Sequence, residues 1–214
     1  MLRTLIAVPC MDKLDLCFVR SLVEMKKQGS VQHGFISCSL VYKARNDLAE
    51  AALNEGADFV LWLDSDMTFP DTLMEDLLKD MEGRDIVCGL FHMRQPPYKP
   101  ALYKKLRKGM TPDENESEDY LDHPAEEIFE VEGCGFACVM TRATVLKEIR
   151  DRYHELFAPM PGYGEDLSFC IRARAMGYRI WCDPRLEIGH RADTIVTSKT
   201  FEAYRKANPE ALKG

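Results

Sequence analysis

Two aspartates separated by one serine, Asp64-Ser65-Asp66, stand directly after the apolar run Val60-Leu61-Trp62-Leu63. That run is too short for a helix and reads as a strand buried on both faces. In extended backbone, residues i and i+2 point the same way, so both carboxylates can project together from the strand end. Open α/β sheets bind ligands at the carboxyl ends of their strands. Like charges held that close repel, and a divalent cation is the usual remedy. The pattern therefore predicts a Mg2+ or Mn2+ site presented to a phosphorylated ligand. The competing reading is a helix N-cap at Asp66 beside an exposed turn acid, so the decision falls to the rest of the chain.

Other chemistry-bearing positions recur at comparable places. Arg45 and Asn46 fall in the first turn of a predicted helix. An arginine there is poorly placed for the helix dipole, which suggests that it faces an anion. Gly133-Cys134-Gly135-Phe136 follows a strand-like stretch, and its glycines allow close backbone approach to a ligand or a bulge. Glu165 and Asp166 start a helix, where the dipole favours ionised carboxylates. Gly189-His190 closes the last extended piece.

The elements that must position these groups alternate along the chain. Thr4 to Val8, closed by Pro9, is predicted as the first strand, so that Pro9 to Asp12 share a crevice with Asp64 and Asp66. A helix over 14–27, a strand over 31–37 and a helix over 42–55 follow. Beyond Asp66, Pro70 opens a helix running to about Met81, and Asp85 to Phe91 is a further strand. This alternation predicts an α/β fold, a mostly parallel sheet with helices on both faces. From Lys104 to Glu127 the chain is polar, with the acidic run Asp113 to Asp119, and reads as a mobile flap. Strands at 129–132 and 137–140, helices at 142–152 and 165–175, a strand at 179–182, an extended piece at 186–190 and a closing helix at 199–206 complete the pattern.

Composition narrows the class. At 214 residues a single domain is expected. A net charge of −7 disfavours broad binding to nucleic acid. The eight cysteines include no Cys-x-x-Cys pair, and several fall in apolar runs (Cys38, Cys88, Cys138, Cys182). Buried reduced thiols are the better reading than a zinc knuckle. No run approaches the ~20 apolar residues of a membrane span, and Met1 to Cys10 lacks the apolar length of a signal peptide. A cytoplasmic protein is expected.

Taken together, Ala44-Arg45-Asn46, Asp64-Ser65-Asp66, Gly164-Glu165-Asp166 and Gly189-His190 resemble glycosyltransferases of the GT-A fold, nearest the family 2 type and its small phage-encoded members. The resemblance covers about Leu5 to His190. Its more specific part is Glu-Asp-Leu-Ser-Phe-Cys-Ile-Arg-Ala at 165–173, followed by Trp-Cys-Asp-Pro-Arg-Leu-Glu-Ile-Gly-His at 181–190. It implies a metal-dependent transfer of a hexosyl group from a nucleotide-diphosphate sugar to a hydroxyl. Asp66 would bind the cation, Asp64 would contact it through water or contact the donor, and His190 would complete the set. Pro9, Asp12 and Ser65 would line the donor crevice, with Arg45 on its nucleotide side. Gly133, Gly135 and Phe136 would floor the sugar. Asp166, with Glu165 beside it, would serve as the base of an inverting reaction. Residues 1–92 would form the donor and metal half, 104–127 the flap, 128–190 the acceptor half and 191–214 a tail helix. A UDP-sugar is the expected donor, although Ser37-Cys38-Ser39-Leu40 lacks the acid that family 2 members often use to read the nucleoside. The acceptor is left open between a saccharide, a protein side chain, a small metabolite and a hydroxylated DNA base. The alternatives are a sugar-phosphate nucleotidyltransferase, whose glycine- and arginine-rich loop is missing after Val8, and a non-catalytic nucleotide-sugar-binding protein.

Overall fold

The computed structural model describes residues 1–37, 39–186, 188–192 and 195–211. The expectations for Cys38 and for Glu187 lie outside the described residues. The β-branched run near the N-terminus forms β1 (Arg3–Pro9), buried at every position but the first. Asp15 caps α1 (Leu16–Glu24) by accepting a hydrogen bond from the Cys17 N–H. β2 (Ser30–Ile36) and β3 (Phe59–Leu63) both pair with β1 in parallel, with α2 (Val41–Asn54) connecting them. Period-two alternation sends Val60 and Trp62 to one face and Leu61 and Leu63 to the other. Trp62 packs in the core that α2 covers with Leu48, Ala49 and Ala52. Leu61 and Leu63 join Phe18 and Leu22 of α1 in the core of the other face. The run is apolar throughout because both faces are covered.

β4 (Met67–Thr68) follows the Asp-Ser-Asp turn, and α3 (Leu73–Asp80) leads to β5 (Ile86–Gly89). The sequence places the start of α3 at Pro70. The helix begins three residues later, after a turn in which the Leu73 N–H donates to the Pro70 carbonyl at 3.2 Å. The second half contributes β6 (Leu102–Arg107), β7 (Glu116–Asp119), β8 (Phe129–Val131), β9 (Gly133–Cys134) and β10 (Cys138–Arg142). α4 (Ala143–Tyr153), α5 (Glu165–Ala175) and β11 (Ile180–Asp183) follow, then β12 (Gly189–Arg191), β13 (Ile195–Val196) and α6 (Ser198–Ala207).

The central sheet has seven strands in the order β2-β1-β3-β10-β5-β11-β8. β10 runs antiparallel between β3 and β5, and β8 runs antiparallel to β11; the other five strands share one direction. The mostly parallel α/β class expected from the sequence is the class observed. The polar stretch at 104–127 is a correction in its secondary structure. It contains β6 and β7, an antiparallel pair that joins β9 in a separate three-stranded sheet. The acidic run is matched by basic partners, Lys105 to Glu116 at 2.7 Å and Lys99 to Asp119 at 2.6 Å. A register shift between Tyr103 and Lys105 interrupts the alternation that would have marked β6 as a strand.

Cys88, Cys138 and Cys182 are buried thiols, as are Cys134 and Cys170. Among the described residues, no helix is long and apolar enough to cross a membrane.

Candidate active site

β1 and β3 run in parallel and end at the same sheet edge, with Pro9 closing one and Asp64 following the other. The gap between the chains leaving them is a cleft of about 630 Å³. Pro9, Asp12, Asp64, Ser65 and Asp66 all line it, as the sequence predicts, together with Arg94 and Arg191.

The second motif reaches this edge through strand register. β12 pairs antiparallel with β4, setting Gly189 opposite Thr68 and His190 opposite Met67. The Arg191 N–H donates to the Asp66 carbonyl at 2.8 Å. A Cβ on Gly189 would stand 2.4 Å from Thr68 Oγ1 and 2.5 Å from Ile195 Cγ2, so glycine is what lets the strands close. The register puts His190 Nε2 3.3 Å from Asp66 Oδ2. His190 Nδ1 lies 2.8 Å from the His92 carbonyl oxygen. Both partners are acceptors, so the arrangement favours the protonated ring, with Nδ1–H donating to the carbonyl and Nε2–H to Asp66. Burial works to lower the imidazole pKa, but the bonds to Asp66 and to the His92 carbonyl outweigh it and raise it. Burial also opposes the charge on Asp66, yet His190 and Arg94 hold its carboxyl below the usual range.

Asp64 belongs to a different cluster. Arg45 is 2% exposed and donates from Nη2 to Asp64 Oδ1 at 2.8 Å and from Nη1 to the Phe136 carbonyl at 3.3 Å. Its Nε lies 3.6 Å from Glu165 Oε1. The anion that Arg45 faces is thus a pair of carboxylates from opposite halves of the chain. Burial raises the Asp64 carboxyl above its ordinary value, with Arg45 pulling it back and the charge of Asp66 adding to the rise. Beside Glu165 in the first turn of α5, Asp166 is pushed up to about 6 by burial and by the Glu165 charge. Its Oδ1 accepts from the Leu167 N–H at 2.7 Å. Neither acid is among the residues lining the cleft, and Glu165 is joined to Asp64 through Arg45.

Four expectations are corrected here. Arg45 is buried and does not line the cleft on a nucleotide side. Gly133 and Gly135 are buried, and their missing side chains admit Leu106 and Phe91, whose atoms would stand 2.8 and 2.6 Å from an added Cβ. Phe136 packs edge-on against Trp62, Phe157 and Phe169 in the core. Asp64, Asp66 and His190 do not form one ligand set, because Asp64 turns to Arg45. Among the described residues, no group of three or more His, Cys, Asp or Glu side chains is arranged to hold a metal ion. Asp66 Oδ2 and His190 Nε2 are a two-ligand set of suitable chemistry. Mg2+ and similar ions commonly take one or two protein ligands and fill the rest with water and phosphate oxygens. A guanidinium, that of Arg94, already sits 2.8 Å from the same Asp66 oxygen, so the position favours a cation. The residues fit the group.

The sequence reading missed Arg94 and Arg191. The available signals were weak: Arg191 adjoins His190, and Arg94 follows a strand parallel to β1 and β3, so it leaves the sheet at the same edge.

No family model matches the chain, and no curated protein matches it. Solved structures do. The crystal structure of A197 from STIV superposes with a TM-score of 0.69 at 19% identity, covering 94% of this chain and 92% of that one. GalNAc-T7 with UDP, GalNAc and Mn2+ gives 0.58 at 10% identity, covering 100% of this chain and 51% of that one. Residues 1–349 of S. aureus TarS with UDP-GlcNAc give 0.51 at 15% identity, covering 86% and 56%. The chain thus spans about half the length of the last two. The likeness is one of fold: a GT-A-like α/β fold, shared with glycosyltransferases.

Proposed function

We propose that this chain is a metal-dependent glycosyltransferase that moves a hexosyl group from a nucleotide-diphosphate sugar to a hydroxyl acceptor with inversion. The observation that carries the reading is the register of β12 on β4, which sets His190 beside Asp66, a residue that lines the cleft. Asp66 and His190 would hold Mn2+ or Mg2+, which when bound offsets the charge gathering on the departing diphosphate. Pro9, Asp12 and Ser65 line the space for the donor, a UDP-sugar in the simplest reading. The UDP and UDP-GlcNAc in the structures of similar fold support that donor class. Asp64 is oriented by Arg45, and the same guanidinium ties in Glu165 on the acceptor half. Asp166 accepts the proton of the attacking hydroxyl, and Glu165 positions it. In this arrangement residues 1–92 carry the donor and metal side and 128–190 the acceptor side. The family 2 kinship suggested by the motifs is part of the same proposal.

Calorimetry with UDP and GDP tests the reading. Carboxylates without a cation repel a diphosphate, so binding should require Mn2+ and should fall by about 100-fold or more in Asp66→Ala, since even outer-shell partners of a metal are worth about 10- to 100-fold. Equal affinity in EDTA, or in the variant, would sink the metal site.

Gly189→Ala is expected to give a related result from outside the ligand set. The added methyl pushes β12 away from Thr68 and carries His190 with it. Mn2+-dependent diphosphate binding should drop by about tenfold or more while the far-UV circular dichroism stays that of the parent. Unchanged binding would show that the placement of His190 does not matter.

A further inference from the structure

Arg94 stands on the oxygen that a metal would need. Its Nη1 lies 2.8 Å from Asp66 Oδ2, the same atom that faces His190 Nε2. A divalent cation at that oxygen and a guanidinium beside it repel each other at short range. The Arg94 side chain is 56% exposed, so more than half of it already meets solvent. It also has somewhere to go. Arg94 and Arg191 line both the donor cleft and an adjoining pocket of about 430 Å³, which Gln95 and Tyr98 help to wall. Arg191 is held in place by its backbone bond to Asp66, whereas Arg94 is held at the site by its charge.

We propose that Arg94 is an exchangeable counter-charge and a leaving-group-binding residue. With the cleft empty, it neutralises Asp66 and keeps the two-ligand set paired. When the cation and a nucleoside diphosphate enter together, the guanidinium releases Asp66 and turns to the diphosphate oxygens, which its planar fork can meet with two parallel hydrogen bonds. In the transfer, the bond from the anomeric carbon to the diphosphate oxygen breaks and its electron pair stays on that oxygen. The acceptor oxygen bonds to the carbon and its proton passes to Asp166. Arg94 then faces the charge that the leaving diphosphate has gained.

The inference rests on the glycosyltransferase reading of the same site, and two affinities separate them. Mn2+ binding to the full chain without nucleotide is followed by the electron paramagnetic resonance signal of free Mn2+. Binding of UDP or GDP at saturating Mn2+ is followed by calorimetry. In Arg94→Gln the first should tighten, because the competing cation is gone. The second should weaken by about tenfold, the scale of one charge-assisted hydrogen bond. Arg94→Lys, which keeps the charge and loses the fork, should fall between. A wild-type chain that binds neither Mn2+ nor either diphosphate overturns the reading of the site and the exchange with it. If the wild type binds both, any pattern in Arg94→Gln other than these opposite signs overturns the exchange alone.

Discussion

Asp166→Asn should keep the fold and the donor affinity and lower transfer by roughly 10²- to 10⁴-fold, the usual scale for a general base. The amide keeps the shape of the carboxylate and removes its capacity to take a proton. The environment of Asp166 suits that task. Burial and the neighbouring Glu165 push its carboxyl up to about 6, so it is ionised at neutral pH yet more basic than an exposed aspartate. Transfer should therefore decline as the pH falls through about 6, and that limb should vanish from the residual activity of the variant. Stability moves the other way. A carboxyl whose folded pKa is raised weakens the native state when ionised. That cost, of order 3 kcal/mol, is present in full above the folded value and is lost as the pH falls toward the unfolded one near 4. Asp166→Asn should accordingly melt several degrees higher than the parent at pH 8. A merely structural aspartate would give neither the lost pH limb nor that gain together with lost turnover. Glu165→Gln should be milder, because Glu165 meets Arg45. The reverse ranking would move the base to Glu165. If neither change affects transfer, a retaining route without a protein base becomes the better account. The anomeric configuration of the product, read by NMR, would then decide.

Arg45→Met should be the most destabilising single change at the site. Breaking a buried ion pair by removing one partner costs about 3–5 kcal/mol. Here Arg45 is 2% exposed while Asp64 keeps 32% of its side-chain surface, and that solvent reduces the loss to about 2–3 kcal/mol. For a chain of this size the melting temperature should fall by about 5–10 °C. Arg45→Lys should recover little, since a point charge cannot serve Asp64, the Phe136 carbonyl and Glu165 at once. The measurement also separates two roles. An arginine that faced the nucleotide would lower diphosphate affinity and leave the melting temperature alone.

The difference between those roles shows how far the sequence could be read. β1, β3 and α5 were legible because each carries a strong local signal: β-branched residues closed by proline, an apolar run ended by acids, and acids opening a helix that Gly177 follows. The strand-end placement of Asp64 and Asp66 followed from them. Arg45 was legible as a residue facing an anion, but which anion depends on Asp64 and on Glu165 of the other half of the chain, and local pattern carries no such pairing. Gly133 and Gly135 look alike whether a ligand or Phe91 fills the space they leave. β6 was hidden by its register shift and β7 by its charge, since their stability comes from cross-strand partners distant in sequence. Arg94 carries no pattern of its own; only the parallel run of β3 and β5 brings it to the edge.

The antiparallel strand spliced into the centre of the sheet has a consequence for the nascent chain. β3 and β5 are both made early and are apolar along their length, yet in the finished sheet they do not pair with each other. The strand that joins them, β10, is complete only at Arg142. At usual elongation rates roughly 3 to 10 s pass between Gly89 and Arg142 leaving the ribosome's catalytic centre. Through that interval two backbone edges stand open side by side, each a template for pairing with another chain. A fragment ending near Phe91 would keep those edges open indefinitely, so ribosome-associated holding of the first half, or slow translation after rather than before β10, should decide how much of this protein is recovered in its native form.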